Sequence, residues 1–265
     1  MECPKVPIIT VRDGGRTGNK IRQYATVWAL SKKLNRPGFV PQATLDWLGP
    51  VFPNLGLPAL EKIDHCNLTF QNNRTFDSVD PEKNILLPSN VNNYEVLLSY
   101  LDEIWDEFKF DDRLVSMVNN TIRSLGGEDH VVVGVHVRRD DYLIYLRQKG
   151  RQPVTHQYYL DAMQWFRRRL NEPLLFLIVS DDVKWCERHL LLAKDVKIAA
   201  HDTFHDLALL ALADHVIIDY GSFGMWGAIM NKGLTVALKG TGKDALMAKY
   251  KKWHTLDSGK YKYQK

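Results

Sequence analysis

No run in this chain approaches the ~18 apolar residues that a membrane span needs, and no signal peptide precedes Val6. A soluble chain is the expectation. Cysteine is scarce: Cys3, Cys66 and Cys186 lack metal-ligand spacing and cannot all pair within one chain, so neither a zinc site nor a disulfide framework is expected. Charge of one sign is also scarce. The 35 Lys and Arg against 31 Asp and Glu leave +4, too mild to imply a nucleic-acid partner. The densest basic cluster, Arg167 to Arg169, reads as the solvated face of a helix. No Asp-x-Asp triplet occurs, which removes the commonest carboxylate arrangement for a nucleotide-bound divalent metal. Neither Gly14-Gly15-Arg16-Thr17-Gly18-Asn19 nor Gly240-Thr241-Gly242-Lys243-Asp244 completes a phosphate-loop motif, which sets an ATPase aside. There is no fixed-period repeat.

What is present is a chain of 265 residues, 45% hydrophobic, enough for a substantial core in two lobes. Val6 to Val11 reads as a short strand. A tight glycine turn follows, then a helix whose Ile21, Tyr24, Ala25, Trp28 and Ala29 form one apolar stripe. The stretch from about Arg36 to Asn93 holds seven of the eleven prolines and predicts loops, short strands and little helix. From Tyr94 to Leu125 the pattern is helical, with stripes at Leu97, Leu101, Ile104, Trp105 and Phe108, then Leu114, Val118, Ile122 and Leu125. After Glu128 strands near 131–137, 174–179, 196–199, 215–218 and 235–238 alternate with helices near 156–170, 183–192, 204–213 and 223–231. That alternation predicts an α/β protein with a parallel sheet covered on both faces. The expected division is residues 1–127, an acceptor-side lobe with bridging helices, and 128–265, a Rossmann-like nucleotide-binding lobe, with Lys249 to Lys265 as a peripheral tail.

The chemistry-bearing residues cluster where strands end, which is where open α/β sheets bind ligands. At His136-Val137-Arg138-Arg139-Asp140-Asp141 a buried strand delivers two guanidiniums, groups whose forked donors match phosphate oxygens. A nucleotide-sugar diphosphate is the first ligand to consider. Arg138 is expected to grip the diphosphate, with His136 and Asp141 positioning it. The bland alternative is an Arg139–Asp141 ion pair capping the strand. In Asp219-Tyr220-Gly221-Ser222-Phe223-Gly224 a polar turn opens the next helix, Ser222 being a candidate cap and the free amides an anion site. Arg16 and Asn19 put polar donors at another helix start. Asp202, His205 and Asp206 begin a helix where acidic residues complement the dipole; the sharper expectation is that Asp202 or Asp206 accepts hydrogens from a nucleotide's base edge or ribose. Sequons at Asn67, Asn73 and Asn119 fit a secretory lumen.

Three segments in order resemble the galactoside α-1,2-fucosyltransferases of glycosyltransferase family 11. They are Gly15-Arg16-Thr17-Gly18-Asn19-Lys20 with Gln23-Tyr24-Ala25-Thr26, Val133-Gly134-Val135-His136-Val137-Arg138-Arg139-Asp140-Asp141-Tyr142, and Gly221-Ser222-Phe223-Gly224-Met225-Trp226-Gly227-Ala228. The likeness runs from Gly15 to about Leu238 and is weak between Leu60 and Asn93. It implies a two-lobe GT-B-like fold, GDP-fucose as donor, a β-galactoside-terminated glycan as acceptor, inversion at the anomeric carbon and no metal or other cofactor. It also implies the Golgi lumen, normally as a type II membrane protein whose N-terminal anchor this chain lacks. By the same resemblance Arg138 maps on the diphosphate ligand, Ser222 and Phe223 on the helix-start turn, and His136 and Asp141 on donor-site positions.

Two positions depart from the pattern. Asp140 stands where the family has glycine, adding charge and removing backbone freedom near the diphosphate, and Lys20 replaces a glutamine. Asp13, Asp140 and Asp141 are the candidates for the base that takes the acceptor proton. The rival expectations are a fucosyltransferase with a different acceptor and a noncatalytic sugar-nucleotide or glycan-binding module.

Overall fold

The structure, a computed structural model, describes residues 2–63, 66–70, 80, 82–91, 94–240 and 252–262. Asn73, the segment 241–244 and part of the expected tail lie outside them. The chain forms two compact units, Met1–Asp111 and Asp112–Lys265.

In the first unit the apolar start condenses into β1 (Ile9–Val11), buried throughout, and the glycine turn leads into α1 (Thr17–Leu34), which buries the whole predicted stripe. Asn35 ends α1 in the left-handed region (φ 49°, ψ 51°), with Lys32 and Lys33 in the last turn where cations complement the helix dipole. The proline-rich stretch yields only short pieces: α2 (Gln42–Leu48), a 3-10 turn at Leu60–Lys62, β2 (Leu68–Phe70) and β3 (Asn84–Leu87). The strands pair in the order β1-β3-β2, all parallel. Cys3 and Cys66 form a disulfide, Cα–Cα 5.3 Å, so the expectation that the cysteines supply no disulfide framework is corrected to one cross-link. An odd count forbids complete pairing but not one pair. Cys186 is left over, buried, its thiol pushed up to about 12 by that burial.

The helical pattern expected over Tyr94 to Leu125 is interrupted. It becomes α3 (Tyr94–Ser99), α4 (Leu101–Ile104) and, in the second unit, α5 (Asp112–Ser124). The gap holds Phe108 and Phe110, whose rings pack 5.2 and 5.0 Å from that of Phe52, so aromatic packing overrides the helical period. The boundary therefore falls after Asp111 and not after Gly127. α5 belongs with the second unit, where it buries Leu114 and Val118 and Thr121 Oγ1 lies 2.9 Å from His205 Nε2.

The second unit follows the predicted alternation closely. Its elements are β4 (Val131–Val137), α6 (Asp140–Gln148), α7 (His156–Arg169), β5 (Leu174–Ser180), α8 (Val183–His189), β6 (Val196–Ile198), α9 (Thr203–Leu212), β7 (His215–Ile218), α10 (Ser222–Met230), β8 (Thr235–Lys239) and β9 (Trp253–Asp257). β4 and β5 are near-continuous apolar runs because both faces are covered. Val133, Val135, Phe176, Ile178 and Ile217 pack with Tyr158, Met163 and Phe166 of α7 in one core, each fully buried large side chain contributing roughly 1.5–3 kcal/mol. The segment expected to be a peripheral tail supplies β9, registered on β8 from Thr235↔Trp253 to Lys239↔Asp257. Trp253 and Tyr261 carry the burial that lysine richness concealed.

Candidate active site

The six parallel strands of the second unit run β6-β5-β4-β7-β8-β9, so the chain builds outward from β4 to one edge, returns, and builds from β7 to the other. Neighbouring connections leave β4 and β7 in opposite directions, which opens a crevice beyond their carboxyl ends. β4 ends in His136 and Val137 with Arg138 next in the chain, and β7 ends in Ile218 with Asp219 next.

These two ends are tied by one carboxylate. Asp219, its side chain fully buried, accepts hydrogen bonds from His136 Nδ1 (3.0 Å), the Arg138 backbone amide (2.9 Å) and the Tyr159 hydroxyl (2.7 Å). Tyr158 donates beside it to the Ile218 carbonyl at 2.5 Å. Burial, reinforced by the charge of Asp219, holds both tyrosines far above their ordinary titration range. Sequence reasoning quoted Asp219 only as the start of a turn. Its signal is a lone acid closing an apolar strand, one residue removed from Gly221-Ser222.

The two arginines separate as strand alternation requires. Arg139 Nε donates to Asp182 at 3.2 Å and its guanidinium lies 3.9 Å from the Trp185 ring centroid, while its amide donates to Asp181 at 2.8 Å. The expected alternative, an Arg139–Asp141 pair, is corrected: Asp141 pairs with Arg138, because α6 begins at Asp140 and carries Asp141 under the Arg138 side of the strand. Arg138 also pairs with Asp181 at the end of β5, a residue the sequence reading missed, and burial raises the Asp181 carboxyl. Asp140 has φ +21°, backbone that favours glycine, so the residue that departs from the resemblance carries local strain. Among the described residues Asp140, Asp141 and Asp181 are the one group that could offer a cation three ligands, with oxygens within 4.8 Å of one another. The Arg138 guanidinium already bridges two of them.

The helix-start turn lies against the same strand. Gly221, with φ +83°, is the N-cap of α10, so Ser222 is its first helical residue and not the cap. A Cβ on Gly221 would sit 3.9 Å from Arg138 Cγ, and one on Gly224 would collide with His136 Nδ1 at 2.4 Å. Glycine at 224 is what admits the imidazole, which also faces the Phe223 ring at 5.5 Å. His136, Arg138, Ser222 and Phe223 are thus brought together, with the amino-terminal end of a nine-residue helix beside the Arg138 side chain.

Asp202 caps α9, accepting from the amides of Phe204 and His205 at 2.9 and 3.0 Å, as the dipole argument anticipates. Asp206 accepts from the His201 amide at 2.7 Å and is raised to about 7 by burial, with His136 close enough to oppose the rise. In the first unit Gln23 holds the glycine turn by donating to the carbonyls of Gly14 and Ser89, both at 2.7 Å. Arg16 is the N-cap residue of α1, and Asn19 accepts from Arg22 at 2.8 Å. Asp13 pairs with Lys20 at 2.5 Å, so the lysine that departs from the resemblance is matched within its own unit. Asn67 and Asn119 are exposed.

Comparison with known proteins places this arrangement. The model of glycosyl transferase family 11 matches residues 3–256. The chain is 31% identical over 250 residues to a galactoside 2-alpha-L-fucosyltransferase SEC1 of Bos taurus, covering 89% of this chain and 67% of that protein. Among solved structures, NodZ alpha-1,6-fucosyltransferase soaked with GDP-fucose superposes with a TM-score of 0.55 at 16% identity, over 86% of this chain and 93% of that one. A mutant of Arabidopsis thaliana FUT1 in complex with GDP gives 0.57 at 12%, over 88% and 70%. These structures share the α/β, GT-B-like fold class expected from the sequence. The chain belongs to glycosyl transferase family 11.

Proposed function

We propose that this family 11 member transfers L-fucose from GDP-fucose to the 2-hydroxyl of a terminal β-galactoside, with inversion and without a metal. The observation that carries it is the convergence of Arg138 and the amide end of α10 on one crevice, in a chain whose relatives are named for this linkage. In the reaction the acceptor oxygen bonds to the fucose anomeric carbon from the face opposite GDP. The bond from that carbon to the β-phosphate oxygen breaks, and GDP leaves with its electron pair. Arg138 and the amides at Ser222 and Phe223 stabilise the charge growing on the diphosphate, as preorganised donors do best in a water-poor site. To meet the phosphate, the Arg138 fork exchanges Asp141 and Asp181 for its oxygens. Asp206 is suited to the base edge or ribose, whereas Asp202 is occupied as a cap.

Of the three carboxylates considered as base, Asp13 is paired with Lys20 and Asp140 stands where the family has glycine, whereas Asp141 is released as Arg138 turns to the diphosphate. Departure runs ahead of attack through an oxocarbenium-like state, so a weak base suffices, and the freed Asp141 takes the hydroxyl proton directly or through water. Exposed sequons at Asn67 and Asn119, with Asn73 as a third, and the Cys3–Cys66 disulfide support a lumenal setting such as the Golgi.

Incubation with GDP-fucose and lactose, with and without a chelator, tests this. A 2-linked fucosyl product at equal rates in both is expected; transfer to a different hydroxyl, or only with added divalent metal, contradicts it. A noncatalytic nucleotide-sugar-binding module is the second possibility, favoured by the strained, charged Asp140. Tight GDP binding with neither transfer nor hydrolysis of GDP-fucose would select it.

A further inference from the structure

We propose that Asp219 is a positioning residue for the crevice between β4 and β7, fixing which ring nitrogen of His136 carries the hydrogen while anchoring the backbone from which Arg138 reaches. It rests on the GDP-fucose reaction proposed above and assigns a role to a residue that no motif names. A carboxylate only accepts hydrogen bonds, so the 3.0 Å contact requires hydrogen on His136 Nδ1. The second oxygen of the same group takes the Arg138 amide and the Tyr159 hydroxyl. One buried group 81 and 83 residues away thus sets both the ring and the main chain of the arginine strand.

The imidazole has little freedom to answer otherwise. Asp219 holds one edge, the bare backbone of Gly224 presses on it, and Phe223 lies 5.5 Å away. Nε2, on the opposite side of the ring, is left as the nitrogen with an open lone pair whenever the ring is neutral. Its partner is a ligand hydroxyl or a water in the crevice, and its acceptor character is imposed by Asp219. Substituting the amide, Asp219→Asn, keeps the shape and one oxygen for Arg138 and Tyr159. It points an N–H at His136 Nδ1, which must then give up its hydrogen and move it to Nε2. The variant reverses the polarity of the ring facing the ligand without opening a cavity.

The test combines nitrogen NMR of the histidine rings, with His136 identified by its absence in His136→Gln, and steady-state transfer from GDP-fucose to lactose. The wild type is expected to carry the hydrogen on Nδ1, and Asp219→Asn on Nε2. In Asp219→Asn, kcat is expected to fall about 100-fold, with the donor KM within about threefold because the Arg138 charge remains. Tyr158→Phe is the matched structural control: it removes the bond to the Ile218 carbonyl in the same buried layer and should lower Tm while leaving kcat within about threefold. Asp219→Asn with wild-type kcat, an equal loss of kcat in Tyr158→Phe, or a wild-type ring protonated on Nε2 alone would overturn the proposal. If the wild type transfers no fucose, the reaction proposed above fails on that control. The wild-type nitrogen shifts then decide the Asp219 assignment by themselves, including where Asp219→Asn does not fold.

Discussion

Glu107 in the first unit and Asp219 in the second use one device in two ways. Glu107 accepts from the Tyr24 hydroxyl, Trp28 Nε1 at 3.0 Å and the Gly56 amide at 2.7 Å, fastening α1 to the proline-rich stretch. Burial and that carboxylate raise the Tyr24 hydroxyl far above its usual range. Asp219 gathers three donors as well, but two of them come from the strand that ends at the reversal of sheet order. A carboxylate with three donors is therefore not itself a functional sign. Its place relative to the carboxyl ends of parallel strands decides what it serves.

The contrast breaks most visibly through Arg138→Lys, which keeps the charge but loses the fork. A fall of roughly 10²–10³-fold in kcat/KM is expected, with Tm unchanged within about 2 °C; initial rates across donor concentrations measure it. Glu107→Ala should do the reverse. Three donors lose their acceptor, at about 1–3 kcal/mol of stability, which urea unfolding reads, while GDP affinity by calorimetry stays within about twofold.

Asp206 sharpens the comparison by pH. Burial raises its carboxyl to about 7, above the ~3.9 of an unfolded chain, so the folded state binds the proton more tightly. The stability this contributes is full below about pH 4 and is lost as pH rises through about 7. Asp206→Asn should flatten that slope, roughly 1–4 kcal/mol across the window, in unfolding midpoints taken from pH 4 to 8. The smallest effect belongs to Asp140→Gly, which relieves φ +21° and removes one charge beside Arg138. A two- to threefold lower donor KM, about 0.5 kcal/mol, is expected from initial rates.

The second unit was largely legible because its strands are buried on both faces and punctuated by turns, so β4, β5 and β7 stand out as apolar runs. β9 was hidden because Trp253 and Leu256 sit among lysines. In the first unit Phe108 fits a helical period yet packs, with Phe110, on Phe52, a tertiary choice that local pattern does not contain. At the site, motif residues are visible as residues, but their partners from other strands are not. The placing of Asp141 beside Arg138 is a local contact, but the pairing of Arg138 with Asp181 and the capture of His136 by Asp219 depend on which strand ends meet. No spacing rule reports that Asp140, Asp141 and Asp181 converge.

The most direct measurement is a crystal structure of the chain with GDP bound. The pyrophosphate should lie within hydrogen-bonding distance of the Arg138 guanidinium and of the backbone amides at Ser222 and Phe223. A pyrophosphate seated elsewhere, with Arg138 still held by Asp141 and Asp181, would contradict the assignment of this crevice as the donor site.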